Sequence, residues 1–262
     1  MDINLNNKVA VITGGTAGIG LATAELFARE GAEIAICSRN ESKVTKALAY
    51  LKEKGLNAHG EAIDVSDRSA LFAFADRVEE KFGGLDIWVS NAGIFTLKKI
   101  THTPEELWQK VMDTNLKSVY YGGIIAAEKF KRRGGGVLIN AVSFASIIPA
   151  VGSGAYAASK AAVESMTKSL AAELAPFNIR VVGYIPGVIE TPMTESLIKA
   201  RGKILAGQTA LQRIGKPEEI ASVILFLASD KASYITGTCI EISGGKFCVQ
   251  NPQDAWTKGD PQ

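Results

Sequence analysis

Short apolar runs alternate with helical patterns from one end of this 262-residue chain to the other. The runs are rich in Val, Ile and Ala, and each has the length of a strand rather than that of a helix. Continuous apolar strands separated by helices are typical of a parallel sheet that is covered on both faces. Because crossovers between parallel strands are right-handed, the pattern predicts a doubly wound, three-layer α/β fold of the Rossmann type with seven parallel strands.

The predicted elements fill one domain, residues 1–245, and leave a polar C-terminal tail, residues 246–262, that we expect to be loosely ordered. Within the domain, residues 187–213 form a long connection that we interpret as a substrate loop. The predicted strands are Val9–Thr13, Glu33–Cys37, Ala58–Asp64, Leu85–Ser90, Gly136–Val142, Ile179–Ile185 and Thr238–Ile242. The predicted helices are Ile19–Glu30, Glu41–Lys54, Arg68–Phe82, Glu105–Arg133, Ala155–Ala175 and Pro217–Leu227.

Charge and composition exclude several classes of protein. The net charge is only +2, and acidic and basic residues are interspersed, so the chain lacks the electrostatic footprint of a nucleic-acid or membrane-surface binder. No apolar run approaches the length of a membrane span, and the N-terminal residues do not have the pattern of a signal segment. Cys37, Cys239 and Cys248 are too widely spaced for a metal site, so we expect no metal and predict a cytoplasmic protein.

A glycine-rich turn joins the first predicted strand to the first predicted helix. Its glycines, Gly14, Gly18 and Gly20, let the backbone come close to a pyrophosphate, and the helix N-terminus offers free N–H groups and a partial positive charge. Thr16 and Ile19 belong to the same turn and are predicted cofactor contacts. A tight strand-to-helix turn, with glycines for packing alone, is the alternative interpretation.

The residues after the second predicted strand bear on the choice of dinucleotide. NAD sites place an acid here to hold the ribose hydroxyls, but this chain has Ser38 and Arg39 instead. The guanidinium of Arg39 offers a planar set of donors to a phosphate, so we favour NADP(H) over NAD(H). A solvated Arg39 that caps a loop is the alternative. Four more residues at strand ends are predicted cofactor contacts, each with turn chemistry as its alternative: Asp64, Val65, Asn91 and Gly93.

Tyr156 and Lys160 lie one helical turn apart, so their side chains share a helix face. A free phenol has a pKa of about 10, and a neighbouring ammonium favours the phenolate and so lowers that pKa. Tyr156 would then give a proton to a carbonyl, or take one from an alcohol. Ser143 ends the fifth predicted strand and can hydrogen-bond the same substrate oxygen.

These motifs and their order along the chain resemble those of the short-chain dehydrogenase/reductase family. The resemblance covers nearly the whole chain. The resemblance implies an NAD(P)-dependent oxidoreductase that acts on CH–OH groups and assembles as a dimer or tetramer. It also implies that Asn115 holds a water beside Lys160 for proton relay, although a helix cap or kink is the alternative for Asn115. Ile189 and Thr191 resemble residues that hold the nicotinamide carboxamide, and Tyr156 and Lys160 are predicted to contact the cofactor in addition to their catalytic roles.

The segments expected to line the substrate pocket are mostly apolar, and Phe144 joins Ser143 and Tyr156 as a predicted substrate contact. We therefore predict a largely apolar ketone or secondary alcohol as substrate. Alternatives are an NADPH-dependent 3-oxoacyl reductase, an NAD(H)-dependent hydroxysteroid or sugar-alcohol dehydrogenase, and a catalytically dead nucleotide-binding sensor. Epimerisation or dehydration would need an extra base, for which only Glu190 and Glu195 are candidates.

We predict a homotetramer, and the tail is a candidate for contact with a neighbouring subunit's pocket. Small residues on two predicted helices would permit close packing between subunits: Gly122, Gly123, Ala126, Ala127, Ala157 and Ala161.

Overall fold

Seven parallel strands form the centre of the computed structural model, which describes residues 3–257. The strands are β1 Val9–Thr13, β2 Glu33–Ser38, β3 His59–Ala62, β4 Ile87–Ser90, β5 Gly136–Ala141, β6 Ile179–Pro186 and β7 Cys239–Ile242. They lie in one sheet in the order β3-β2-β1-β4-β5-β6-β7, and every neighbouring pair is parallel. The predicted seven-stranded, doubly wound fold is confirmed.

Helices cover both faces of the sheet. They are α1 Gly18–Arg29, α2 Glu41–Glu53, α3 Arg68–Phe82, α4 Glu105–Met112, α5 Ser118–Arg133, α6 Gly154–Leu174, α7 Glu195–Gly207, α8 Pro217–Ala228 and α9 Asp254–Thr257. Helices α1, α2 and α8 pack on one face, and helices α3, α5 and α6 pack on the other. The six predicted helices are all present, although one of them is divided.

Two apolar clusters, one on each side of the sheet, hold these layers together. Alternate residues of β1 supply both, because successive side chains of a strand point to opposite faces. Ala10 and Ile12 join the cluster under α1 and α8, whereas Val9 and Val11 join the cluster under α3 and α5. The continuous apolar sequence of β1 is thus explained by burial on both faces.

The predicted helix Glu105–Arg133 is interrupted by a π-helix, Asp113–Lys117, between α4 and α5. A sequence period close to that of an α-helix continues through this region, so the local widening is not visible in the pattern. The predicted substrate loop, residues 187–213, contains the helix α7, which the sequence analysis missed. Arg201 has a non-helical φ of −141°, which kinks α7 into two short pieces.

The beginning of the tail packs against the body of the protein, so the expectation of loose order was wrong for residues 246–257. The amide of Phe247 donates to the carbonyl of Gln208 (3.0 Å), and the indole of Trp256 donates to the carbonyl of Ala210 (2.9 Å). The suggested reach of the tail into a neighbouring subunit stays a prediction. The rest of the predicted tail, residues 258–262, lies outside the described residues.

Most of the small residues predicted to pack between subunits are used inside this chain. A Cβ on Gly122 would lie 2.7 Å from the Trp88 indole nitrogen, and a Cβ on Gly123 would lie 3.0 Å from Leu170. Ala126 and Ala157 are also buried. These residues let α5 approach the sheet and α6, so they give no support to the predicted assembly.

The strand order reverses direction between β1 and β4, where successive crossovers pass to opposite faces of the sheet. Such a reversal opens a crevice at the carboxyl ends of the strands, which is where doubly wound folds bind ligands. Within residues 3–257, no helix combines the length and the apolar sequence that crossing a bilayer requires.

Candidate active site

A cavity of about 320 Å³ lies in this crevice, at the carboxyl ends of β1, β4, β5 and β6. A second cavity of about 540 Å³ lies beyond the ends of β2 and β3. Ten of the predicted site residues line the first cavity: Gly14, Gly18, Ile19, Asn91, Gly93, Ser143, Tyr156, Lys160, Ile189 and Thr191. Arg39 and Asp64 line the second. The predicted residues that line neither are Thr16, Gly20, Ser38, Val65, Asn115 and Phe144.

The glycine turn needs glycine for two separate reasons. Gly14 and Gly18 have φ values of +66° and +53°, which side-chain-bearing residues rarely adopt. Space is also short, because a Cβ on Gly18 would lie 2.8 Å from the methyl carbon of Thr191. Since α1 begins at Gly18, its unpaired N–H groups open towards the cavity. A close backbone and free amides fit the pyrophosphate of a dinucleotide.

Asn91 fastens the turn to the end of β4. Its side-chain nitrogen donates to the carbonyls of Thr13 (2.9 Å) and Gly14 (3.2 Å). Its side-chain oxygen accepts a hydrogen bond from the phenol of Tyr184 (2.9 Å), a buried residue of β6 that also lines the cavity. Tyr184 was not predicted as a site residue. In the sequence, the only indication of such a role is one hydroxyl within an apolar strand. Tyr184 and Asn91 therefore connect the floor of the cavity to the glycine turn.

The second cavity carries the residues that were predicted for the adenosine end of the cofactor. Asp64 accepts hydrogen bonds from the amide (2.9 Å) and hydroxyl (2.7 Å) of Ser66. Burial alone would raise the pKa of the Asp64 carboxyl, but these bonds and the charges of Arg39 and Lys110 lower it, so Asp64 is ionised. The side chain of Val65 is buried in the core, so any contact with a ligand must come from its backbone.

Tyr156 and Lys160 share the inner face of α6, as their spacing predicted. The Lys160 ammonium lies 5.9 Å from the centre of the Tyr156 ring and donates to the carbonyl of Ala141 at 2.6 Å. The hydroxyl of Ser143 lies near the Tyr156 phenol and favours its ionised form. Phe95 packs edge-on against the same ring, 5.0 Å between centroids. A phenol, a hydroxyl and an ammonium thus meet at one wall of the cavity.

The protonation of this group differs from the sequence expectation. Burial raises the pKa of Tyr156 above its usual value, and the neighbouring Ser143 hydroxyl opposes that shift only in part. Lys160 was expected to lower the phenol's pKa, but its ammonium is turned to the Ala141 carbonyl. Burial also lowers the pKa of Lys160 to about 8. The phenol is therefore protonated at neutral pH, as a proton donor must be.

Asn115 lies in the π-helix behind the cavity wall, and its amide is fully engaged. Its oxygen accepts from the Ile94 amide (2.8 Å), while its nitrogen donates to the Ile94 carbonyl (3.0 Å) and the Ser159 hydroxyl (3.2 Å). A Cβ on Gly93 would lie 3.3 Å from the Asn115 oxygen and 3.8 Å from the Lys160 nitrogen, so both flank Gly93. The predicted water beside Lys160 stays a prediction.

Comparison with known proteins agrees with this geometry. A family model described as "Enoyl-(Acyl carrier protein) reductase" matches residues 14–246. A cyclopentanol dehydrogenase of Comamonas testosteroni is 38% identical over 92% of this chain and 97% of its own. The chain belongs to the short-chain dehydrogenase/reductase family. A 3-oxoacyl-(acyl-carrier-protein) reductase of Thermotoga maritima is 40% identical over 93% of this chain and 99% of its own.

Among solved structures, a 7α-hydroxysteroid dehydrogenase superposes with a TM-score of 0.89 at 31% identity, over 95% of this chain and 98% of that one. That structure contains NADH and 7-oxoglycochenodeoxycholic acid. Members of the short-chain dehydrogenase/reductase family use NAD(P)(H), so this protein is an enzyme of the dehydrogenase and reductase class that acts on alcohol or ketone groups. The resemblance stated from the motifs is confirmed.

Proposed function

We propose that this short-chain dehydrogenase/reductase transfers hydride between NADP(H) and a largely apolar ketone or secondary alcohol. The observation that carries the proposal is the Tyr156 phenol, which lines one cavity together with Ser143 and Lys160. A nucleotide-binding sensor without catalysis would have no need of a buried phenol, hydroxyl and ammonium in contact with one cavity. The catalytic roles of these side chains follow from their chemistry.

In the direction of reduction, the Ser143 hydroxyl and the Tyr156 phenol bind the carbonyl oxygen of the substrate. A bound nicotinamide supplies the hydride. As negative charge grows on the substrate oxygen, Tyr156 donates its proton to that oxygen and becomes a phenolate. The positive charge of Lys160 stabilises the phenolate, which takes the proton back from solvent after each turnover. Oxidation of the alcohol follows the same steps in reverse.

Cofactor residues favour NADP(H) because β2 ends at Ser38 without an acid and Arg39 follows it at the second cavity. Lys43, which the sequence analysis did not select, lines the first cavity and adds a second cation at this end. A second strand that ends without an acid and is followed by these two cations suits a 2′-phosphate. NAD(H) is the alternative, and the NADH in the related 7α-hydroxysteroid dehydrogenase favours it.

The substrate preference rests on the segments that follow β4, β5 and β6. Large apolar side chains are exposed in these segments: Leu97, Ile147, Ile148, Val151 and Met193. The names of two relatives, a cyclopentanol and a 7α-hydroxysteroid dehydrogenase, are consistent with alicyclic substrates. A 3-oxoacyl reductase is the second candidate, favoured by the Thermotoga relative. Epimerisation is disfavoured because neither Glu190 nor Glu195 lines the first cavity, which contains the catalytic group.

Tyr156→Phe tests the reaction directly. The purified enzyme and the variant are assayed by NADPH and NADH absorbance against alicyclic ketones, hydroxysteroid-type ketones and a 3-oxoacyl thioester. Removing the phenol should reduce turnover about a hundredfold or more, because the proton donor is lost. NADPH binding, followed by its fluorescence, should persist in the variant. Full turnover by Tyr156→Phe would contradict the role given to the phenol, and turnover of the thioester alone would establish the second candidate.

Arg39→Asp tests the choice of dinucleotide. The new carboxylate should repel a 2′-phosphate and accept the ribose hydroxyls, so the ratio of kcat/KM for NADPH to that for NADH should fall about tenfold or more. Lys46→Asp makes the same charge change on the exposed side of α2 and should leave the ratio unchanged. An unchanged ratio in Arg39→Asp would show that this guanidinium does not select the cofactor.

We also propose that the enzyme is a homotetramer, that it is cytoplasmic, and that residues 1–245 form its catalytic domain.

A further inference from the structure

Lys246 follows β7 in a segment that is tied to the end of α7. The amide of Leu211 donates to the carbonyl of Gly244 (3.1 Å), and the amide of Ala210 donates to that of Gly245 (3.3 Å). The next residue, Phe247, has a φ of +49°, a left-handed conformation that is unusual for a bulky side chain. The backbone on both sides of Lys246 is therefore held in one arrangement, at some cost in strain.

This backbone directs the Lys246 side chain between two aromatic rings. Its ammonium lies 5.7 Å from the centre of the Phe144 ring and 5.0 Å from that of Phe247. The side-chain oxygen of Gln208 accepts its hydrogen bond at 3.0 Å. Cation–π contacts and one neutral acceptor position the ammonium, but they do not neutralise its charge.

The charge of Lys246 has no counter-ion in the part of the chain that the structure describes. None of the ion pairs among residues 3–257 includes Lys246, whereas lysines such as Lys129 and Lys199 each contact a carboxylate. Lys246 is also half-buried, and burial lowers the pKa of its ammonium. A partly desolvated, unpaired cation is costly for a protein and is typical of a site that receives an anion.

Lys246 lies close enough to the catalytic group for an anion bound at its ammonium to belong to the substrate. Phe144, which the ammonium contacts, directly follows Ser143. Because the ammonium is 5.7 Å from the Phe144 ring centre and consecutive Cα atoms are about 3.8 Å apart, the ammonium lies on the order of 10 Å from Ser143. The apolar side chains of Ile148 and Val249 border the same region, in a shallow cavity beside Phe247. A ligand that spans this distance must be apolar in its middle.

We propose that Lys246 is an anchor for a carboxylate that the ketone substrate carries on the far side of an apolar body from its carbonyl. The inference rests on the proposed function and narrows it to acidic ketones, or the corresponding hydroxy acids. Ile148 and Phe247 contact the apolar body, Ser143 and Tyr156 bind the carbonyl oxygen, and Lys246 pairs with the carboxylate. The carboxylate replaces water around an ammonium that is already positioned, so little ordering of the side chain opposes binding.

A matched pair of substrates tests the anchor. One is an alicyclic keto acid whose carboxylate is about 10 Å from its carbonyl, on the scale set by the backbone spacing above; the other is its primary amide. The enzyme should prefer the acid by about tenfold or more in kcat/KM, mainly through KM, which corresponds to about 1.4 kcal/mol. Lys246→Met should bring the ratio of acid to amide close to one, and Lys246→Arg should retain the preference.

Lys203→Met is the matched control, because Lys203 is an exposed lysine of α7 for which the structure gives no ion pair. It should leave the ratio as it is in the parent enzyme. Equal losses on acid and amide in Lys246→Met would overturn the proposal, because they would show that Lys246 only fastens the C-terminal segment. Calorimetric binding of the keto acid and the amide measures the same preference without turnover. An enzyme that binds the acid through Lys246 but reduces neither compound would contradict the proposed function and leave the anchor supported.

Discussion

Lys160 places its ammonium 5.9 Å from the centre of the Tyr156 ring, and burial brings its pKa down to about 8. The ammonium is present below that pH and is lost as the pH rises through it. Since the ammonium stabilises the Tyr156 phenolate left by proton donation, kcat for ketone reduction should fall above pH 8. The Tyr156 phenol does not account for this fall in kcat, because burial raises its pKa above the usual value. A pH series of initial rates at saturating substrate measures the effect.

Lys160→Met is the control for this assignment. The variant should be slow at every pH, and its profile should lack the fall near pH 8. A fall that persists without the ammonium would assign it to another group.

At the residue scale, the sequence could predict which side chains meet but not their electrostatic environment. Helical spacing places Tyr156 and Lys160 on one face, because that relation depends on the backbone alone. The direction of the Tyr156 pKa depends on burial by Phe95 and its neighbours, which are distant in sequence. Tyr184 and Lys246 were missed for the same reason. Their partners, Asn91 and Gln208, come close only after the chain has folded.

At the scale of the element, Asn115 explains how the π-helix is joined to the cavity. The π-helix lies behind the segment that follows β4, and the Asn115 amide satisfies both backbone groups of Ile94. Asn115→Ala would leave those buried groups without partners, at about 2 to 4 kcal/mol. The melting temperature should therefore fall by roughly 5 to 10 °C. Asn57→Ala, at an exposed asparagine, should change it little.

Thermal unfolding at one protein concentration, followed by circular dichroism, makes this comparison. A melting temperature for Asn115→Ala equal to that of Asn57→Ala would show that water satisfies Ile94 just as well. Because the readout is stability and not turnover, it separates this structural contact from the proton relay that the family resemblance implies.

Predicted and observed elements agree closely where packing and local pattern coincide. The bounds of all seven strands differ from prediction by at most two residues at either end. Strands such as β1 are apolar throughout because they are buried on both faces, which is a strong signal in a single sequence. Disagreement lies in α7, in the π-helix and in the tail, which contains the short helix α9. The first two depart from the regular helical period, at Arg201 and around Asn115.

At the scale of the whole molecule, the proposed assembly needs a surface other than the one suggested by small residues, because Gly122 and Gly123 are buried inside the chain. On the outer side of α5, Tyr120 is 52% exposed. Exposed aromatic side chains on a helix are typical of the centre of a subunit interface. We therefore expect α5 to pack against a second subunit through the surface around Tyr120.

Light scattering coupled to size exclusion tests this expectation. The enzyme should have a mass of about four times the 27.8 kDa of the chain. Tyr120→Glu should lower that mass to a dimer or a monomer, because it would place a charge in an apolar interface. Phe177→Glu introduces the same charge at an exposed aromatic residue beyond α6 and should leave the mass unchanged. A monomeric parent enzyme would contradict the tetramer, whereas a tetramer that tolerates Tyr120→Glu would show that the subunits meet through another face.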